Sequence, residues 1–246
     1  MALENTRLYQ EARKALRERE DMLSVVSHDL RNPVNAIVLL TGAALQRASG
    51  DEGVMTRDEV ESIRAASRQA DGLIQDLQDV SRIAMGRLRV EPIPTSMAEI
   101  VEEAAHMFEP ALKDAELTLL KILDPAAPYL AVDRHRILQL LSNLLGNAVR
   151  FTPPEGVVTI TVEVRARDVR LAVRDTGPGV NPVDVPRVFE RYWQAPRLLR
   201  AGSGLGLYIA KGIVDAHGGD IGLNSTPGQG SEFWFTLPLR DERLPG

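Results

Sequence analysis

The chain has 246 residues, of which 44% are apolar and 4% aromatic, and it carries a formal net charge of −5 without a long basic run. This suits two compact modules or one large one with an aliphatic core, and it argues against nucleic acid as the main partner. The lack of cysteine excludes a disulfide framework and a cysteine-based metal site; the apolar runs are too short to cross a bilayer, and the polar start is unlike a signal peptide, so the cytoplasm is expected.

The first half reads as long helix. Leu16, Leu23, Leu30, Ile37 and Ala44 recur every seven residues, with Val26 and Leu40 on a second seam that Arg19 and Pro33 interrupt. Pro33 lacks a backbone donor and should kink or loosen that helix. A loop from Ala48 to Arg57 follows. A second helix then places Ile63, Ala66, Ala70, Leu73, Leu77, Val80 and Ala84 at steps of three and four. Two such helices form an antiparallel hairpin whose apolar stripe is half exposed; a second copy would cover it, giving a homodimeric four-helix bundle.

Gly86 to Ser96, with Pro92 and Pro94, reads as a linker. Beyond it helices and strands mix. Met97 to Leu112 is helical, Ala115 to Leu123 strand-like and Arg136 to Val149 strongly helical. Val157 to Val164 and Val169 to Val173 alternate as strands around an Arg165–Asp168 turn. Lys211 to Ala216 sits in a further helix, and Ile221 to Asn224 with Phe233 to Leu237 should close a hairpin around Pro227–Gly230. Without regular βαβ alternation, the expectation is an α/β sandwich on a mixed, mostly antiparallel sheet.

Several residues in this frame carry chemistry. With Leu23 and Leu30 on the seam, His28 falls at the outermost heptad position, facing solvent. A neutral imidazole is a good nucleophile near pH 7, and Asp29 could take or orient its proton. Asn32 lies one turn on, on the same face. Asn143 and Asn147 share a helix face. Asp175 ends an apolar strand before Gly177 and Gly179, and Gly202, Gly204 and Gly206 precede a helix whose first amides suit phosphate. His106, His135 and His217 have no ligand-like spacing and read as surface or packing residues.

Ser27-His-Asp-Leu-Arg-Asn-Pro33 resembles the H-box of sensor histidine kinases, and the other boxes of that family follow in its order. Asn143 to Pro153 resembles the N-box, Asp175 to Gly179 the G1 box, Phe189 to Trp193 the F-box, Gly202 to Leu207 the G2 box, and Gly228 to Phe233 the late glycine turn. A single glycine-rich box is weak evidence, whereas six in order are specific. The resemblance covers about residues 20 to 240. It implies a signalling helix over residues 1–20, a dimerisation and phosphoacceptor bundle over 21–88, and an ATP-binding domain over 89–246. It also implies that His28 accepts the γ-phosphoryl group of ATP and passes it to an aspartate on the receiver domain of a response regulator. Asn32 would help dephosphorylate that regulator.

By the same resemblance Asn147 holds Mg²⁺, and Asn143, Arg150, Phe151, Asp175, Gly177, Gly179, Tyr192, Gly202, Gly204, Leu205, Gly206 and Leu207 surround the nucleotide, with Asp175 on the adenine amino group. Arg150 stands where many members have lysine, which keeps the charge but alters the geometry. Arg191 to Arg200 resembles the ATP lid, in which Arg197 and Arg200 could touch phosphate. Residues 2–11 are similar to the exit helix of GAF sensor domains, which implies an upstream input module. Two other readings stay open. One is a dimeric scaffold that binds ATP without catalysis. The other is an ATP-hydrolysing relative of gyrase, against which Asn143 argues because a carboxamide cannot take a proton from water.

Overall fold

In the computed structural model, which describes residues 30–45, 55–194 and 203–239, the chain divides into two units. The first comprises residues 1–78 with 200–203, and the second 79–199 with 204–246.

The first unit is helical. Helix α1 spans 30–45 among the described residues and runs through a buried Pro33; helix α2 is Arg57–Ala84. Thr56 and Glu59 start α2 with a capping box. The Thr56 hydroxyl accepts from the Glu59 amide at 3.3 Å, and the Glu59 carboxylate accepts from the Thr56 amide at 2.9 Å. On the expected seam, Leu30, Ile37, Ile63, Leu73 and Leu77 are half-buried, while Val34, Val38, Leu39, Leu45, Val60 and Ile74 are exposed. A stripe this apolar on a single chain is what a bundle partner would cover. The seam positions Leu16, Leu23 and Val26, and most of the loop before Arg57, lie outside the described residues.

The second unit is an α/β sandwich. Strands β1 (Ile93–Ser96), β2 (Thr118–Leu123), β3 (Tyr129–Val132), β4 (Val157–Val164), β5 (Asp168–Asp175), β6 (Ile221–Ser225) and β7 (Ser231–Pro238) alternate with helices α3 (Met97–Asp114), α4 (Arg134–Phe151) and α5 (Gly206–His217). Five strands form one sheet in the order β2-β4-β5-β7-β6. β2 and β4 run parallel and the other neighbours antiparallel. β1 and β3 form a separate antiparallel pair. The sheet is therefore mixed and mostly antiparallel, as the strand pattern predicts.

Alternation decides which face is covered. Val158, Ile160 and Val162 of β4, Val169, Leu171 and Val173 of β5, and Phe233, Phe235 and Leu237 of β7 are buried. Helix α3 lies against β2 and β4, α4 against β5, and α5 against β7. Helix α4 contributes Ile137, Leu140, Leu141, Leu144 and Leu145, all fully buried. Each such side chain contributes about 1.5–3 kcal/mol, before the entropy of ordering it. The opposite sheet face is polar; there Arg170 ion-pairs with Glu232 and its guanidinium sits 5.5 Å from the Trp234 ring centroid.

Two local features differ from the sequence expectation. The linker holds strand β1. The strand expected from Ala115 begins at Thr118, because Ala115 and Glu116 finish α3 with Glu116 at φ 56°. Helix α5 (Gly206–His217) follows the glycines and contains Lys211 to Ala216, as expected.

Candidate functional site

Helix α4 is the ruler of the site. Asp133 caps it, accepting from the Arg136 amide at 3.1 Å. The cap is itself anchored. The Asp133 amide donates to Nε2 of buried His217 at 3.0 Å, so Nδ1 carries the proton and donates to the Ile213 carbonyl at 2.8 Å. This histidine joins the last turn of α5 to the first of α4. Its spacing in the sequence gives no hint of that role.

At the far end of α4 the backbone meets the β5 terminus. Asp175, the last residue of β5, is 5% exposed, and its Oδ1 accepts from the Gly177 amide at 2.8 Å. A Cβ on Gly177 would stand 2.7 Å from the Phe151 carbonyl oxygen, so only glycine lets this turn lie against the helix end. Burial pushes the Asp175 carboxyl above the ordinary aspartate pKa, opposed by the Gly177 and Ser231 amides and by Arg174.

Two turns earlier on α4, Asn143 meets the start of α5. Its Nδ2 donates to the Gly206 carbonyl at 3.0 Å. Helix α5 begins there with no side-chain cap among the described residues, so its first amides suit an anion. Leu205, immediately before, is buried, and Leu207 is half-buried. Gly204 has φ 68°, and its carbonyl accepts from the Tyr192 amide at 3.0 Å. The Tyr192 hydroxyl is buried with no hydrogen-bond partner among the described residues, and desolvation raises its pKa. Beside it, Arg191 stacks on Tyr208 with its guanidinium 5.1 Å from the ring centroid.

The expected residues thus fall into two groups, one at each end of the α4 stretch from Asn143 to Phe151. Phe151, Asp175 and Gly177 form one end. Asn143, Gly206, Gly204 and Tyr192 form the other. Eight residues of helix separate Asn143 from Phe151, about 12 Å, and Asn147 lies midway. Asn147 is half-buried, and no hydrogen bond engages its carboxamide among the described residues. Gly179, at φ 72°, extends the Asp175 turn toward Thr226. Arg150 is exposed, as is Asn32 on α1. His28, Asp29, Gly202 and the lid arginines Arg197 and Arg200 lie outside the described residues.

The site fits a nucleotide: a buried acceptor for a base at one end, open helix amides and an orphaned hydroxyl for phosphates at the other, and a free carboxamide between. Replacing Asp175 by Asn tests the base end. A carboxylate offers acceptors both to Gly177 and to an incoming amine, whereas a carboxamide presents a donor to one of them. Nucleotide affinity should fall roughly 10- to 100-fold, the size of one lost charged hydrogen bond. Stability should move the other way. A raised folded-state pKa favours the fold at low pH and loses that contribution as pH rises through it, so at pH 7 the buried charge is a cost. The melting temperature of Asp175→Asn at pH 7 should equal or exceed that of the wild type, and the gain should shrink in acid. Calorimetric titration and thermal melts at two pH values check both signs.

Residues 132–241 match the family described as histidine kinase-, DNA gyrase B- and HSP90-like ATPase, and residues 18–86 match the phosphoacceptor His Kinase A domain. The sensor histidine kinase GacS of Pseudomonas protegens is 33% identical over 252 residues, covering 96% of this chain and 27% of that protein. The chain spans about a quarter of the length of the curated relatives it matches. Among solved structures, the Acinetobacter baumannii histidine kinase AdeS aligns with a TM-score of 0.64 and 26% identity, covering 87% of this chain and 98% of that one. Full-length ShkA in complex with AMPPNP aligns with a TM-score of 0.63 and 29% identity, covering 89% of this chain and 45% of that one.

Proposed function

This chain belongs to the sensor histidine kinases of two-component signalling, and on that premise we propose that it binds ATP along α4 and moves the γ-phosphoryl group to its own His28. The observation that carries the reading is the spacing on one helix: a buried base acceptor at the Phe151 end and open α5 amides at the Asn143 end, about 12 Å apart. The adenine amino group donates to Asp175. The phosphates take the first amides of α5 and the Tyr192 hydroxyl. Mg²⁺ fits the free Asn147 carboxamide oxygen and, when bound, neutralises phosphate charge.

The transfer needs little covalent chemistry from the protein. A ring nitrogen of His28 forms a bond to the γ-phosphorus as the bond to the β,γ-bridging oxygen breaks, and ADP leaves with that oxygen. Asp29 takes the ring proton. Asn143 supports transfer to the imidazole over hydrolysis, because its amide is engaged with the Gly206 carbonyl and it has no basic oxygen to activate water.

The phosphoryl group then passes to an aspartate on a response regulator docked on the α1 face. There Asn32 orients water to reverse the modification. Residues 21–88 pair with a second copy as a four-helix bundle, 89–246 hold ATP, and residues 1–20 carry the signal from a sensor module, GAF-like by its exit helix. No helix among the described residues is long and apolar enough to cross a membrane, and the ATP requirement suits the cytoplasm.

Incubation with γ-labelled ATP tests this reading. The expected product is a labelled protein whose phosphate survives alkali and is lost in acid, as a phosphorylated imidazole is. Steady phosphate release without labelled protein would favour the gyrase-like alternative instead.

A further inference from the structure

Ser225, the last residue of β6, lies outside every box, yet its hydroxyl sits at a junction within the second unit. Asp175 of β5, Ser231 of β7 and Ser225 of β6 are register partners, side by side across three strands. They lie two residues from Val173, Phe233 and Leu223, which are register partners in their turn, so the three polar side chains share the sheet face that carries the core. Asp175 and Ser231 are buried, and Ser225 is half-buried.

The hydrogen bonds fix which way the hydroxyl protons point. Ser225 Oγ accepts from the Val180 amide at 2.8 Å and donates to the Gly230 carbonyl at 2.9 Å. It also lies 3.0 Å from Ser231 Oγ. A hydroxyl has one proton. With the Ser225 proton on the Gly230 carbonyl, Ser231 is the donor in the serine pair. Holding the turn from Asp175 to Val180 against the β6–β7 hairpin does not need Ser225 alone, because the Gly228 amide also donates to the Pro178 carbonyl at 2.7 Å.

The direction of the Ser231 proton matters to Asp175. The Asp175 carboxyl accepts from the Gly177 amide and faces the Ser231 amide, but no side chain donates to it among the described residues. Directly opposed side chains on an antiparallel pair are neighbours, so a Ser231 hydroxyl free to turn would reach Asp175. It would then occupy the acceptor that a base amine needs, and a buried acceptor already satisfied gains less from a ligand.

We propose that Ser225 is a positioning residue for base recognition: it holds the Ser231 proton away from Asp175 and so reserves that carboxylate for a base carrying an exocyclic amine. Ser225 acts through Ser231 and touches no nucleotide. The inference rests on the ATP reading above and adds a residue that sets the preference for an amino base.

The test uses the full chain, with calorimetric titration of ATP and of purine riboside triphosphate, which lacks the amino group, alongside thermal melting. The proteins are wild type, Ser225→Ala, Ser225→Thr, and Ser225→Ala combined with Ser231→Ala. Wild type should bind ATP at least about tenfold more tightly than the deamino nucleotide, the equivalent of 1.4 kcal/mol. Ser225→Ala should melt cooperatively and bind purine riboside triphosphate within about twofold of wild type, while ATP weakens about fivefold or more. Ser225→Thr keeps the hydroxyl and should keep the preference. The double variant has no hydroxyl left to compete for Asp175 and should bind ATP more tightly than Ser225→Ala. Equal weakening of both nucleotides, or loss of cooperative melting in Ser225→Ala, would make Ser225 a structural fastener alone and overturn the proposal. So would a Ser225→Thr protein as weak as Ser225→Ala, or a double variant no tighter than the single one. A wild type that binds neither nucleotide removes the ATP reading and this inference with it; a wild type that prefers ATP, matched by Ser225→Ala, removes this inference alone.

Discussion

Replacing His28 by Gln is expected to remove phosphoryl label from the protein entirely, below about one thousandth of the wild-type level, while leaving ATP affinity within about threefold. The asymmetry follows from where the groups reside. His28 precedes the described part of the first unit, whereas Asp175, the first amides of α5 and Asn147 all belong to the second unit. Glutamine keeps a polar side chain of similar reach, but its amide nitrogen is not nucleophilic and no P–N bond can form. A general base without a nucleophile has nothing to activate, so Asp29 cannot rescue the variant. Labelling with γ-labelled ATP, in parallel with calorimetric titration of the same preparation, reads both halves. Label that persists on His28→Gln would place the acceptor elsewhere. A variant that also loses ATP would mean that His28 contributes to the nucleotide site itself.

How much of this was legible in the sequence depended on whether a feature is local. Helix α4 was, because Ile137, Leu140, Leu141, Leu144 and Leu145 repeat at helical spacing and all end up buried. Strands β4 and β5 were, because strict alternation puts Val158, Ile160 and Val162 on one face and Thr159 and Thr161 on the other. The short β1 and β3 were not: four-residue strands carry almost no period, and Pro92 and Pro94 disguise the first. The parallel pairing of β2 with β4 leaves no local trace either, since nothing in Thr118–Leu123 specifies a partner forty residues away. Pro33 is expected to kink or loosen its helix; among the described residues, 30–45 are helical and include it.

The site divides along the same line. Residue types at Asn143, Asn147, Asp175 and the glycines were readable because their chemistry is specific to their turn or helix face. Their mutual bonds were not. The Asn143–Gly206 contact spans 63 residues and the Asp133–His217 contact 84. His217 illustrates the gap well. Read alone it is one more packing histidine, and only the fold reveals that its Nε2 satisfies the amide of the residue that caps α4. Asp79 is similar. It lies 57 residues from Arg136 in the chain, and the fold buries it against that guanidinium.

Asn147→Ala should abolish the effect of Mg²⁺ on nucleotide binding. Asn147 lies on α4 between the two groups that flank the nucleotide, and its carboxamide makes no hydrogen bond among the described residues, so truncation leaves no orphaned partner. Its neighbours Leu144, Leu145 and Ala148 are buried and carry the packing of that stretch instead. The fold should therefore survive, and the melting temperature without ligand should stay within a few degrees of wild type. What goes is one oxygen ligand. Mg²⁺ takes near-octahedral oxygen coordination and keeps several waters, so a site with one protein ligand depends heavily on that ligand. In Mg²⁺ buffer the affinity for ATP should fall on the order of tenfold or more, to the value that wild type itself gives with a chelator present, and adding Mg²⁺ should no longer raise it. Self-labelling, which needs the phosphate charge neutralised in the transition state, should fall further than binding does. Calorimetric titrations of both proteins, each with Mg²⁺ and with chelator, give the four affinities. A variant whose affinity still rises with Mg²⁺ as steeply as wild type would move the ion to another ligand and leave the phosphates to the first amides of α5 and the Tyr192 hydroxyl.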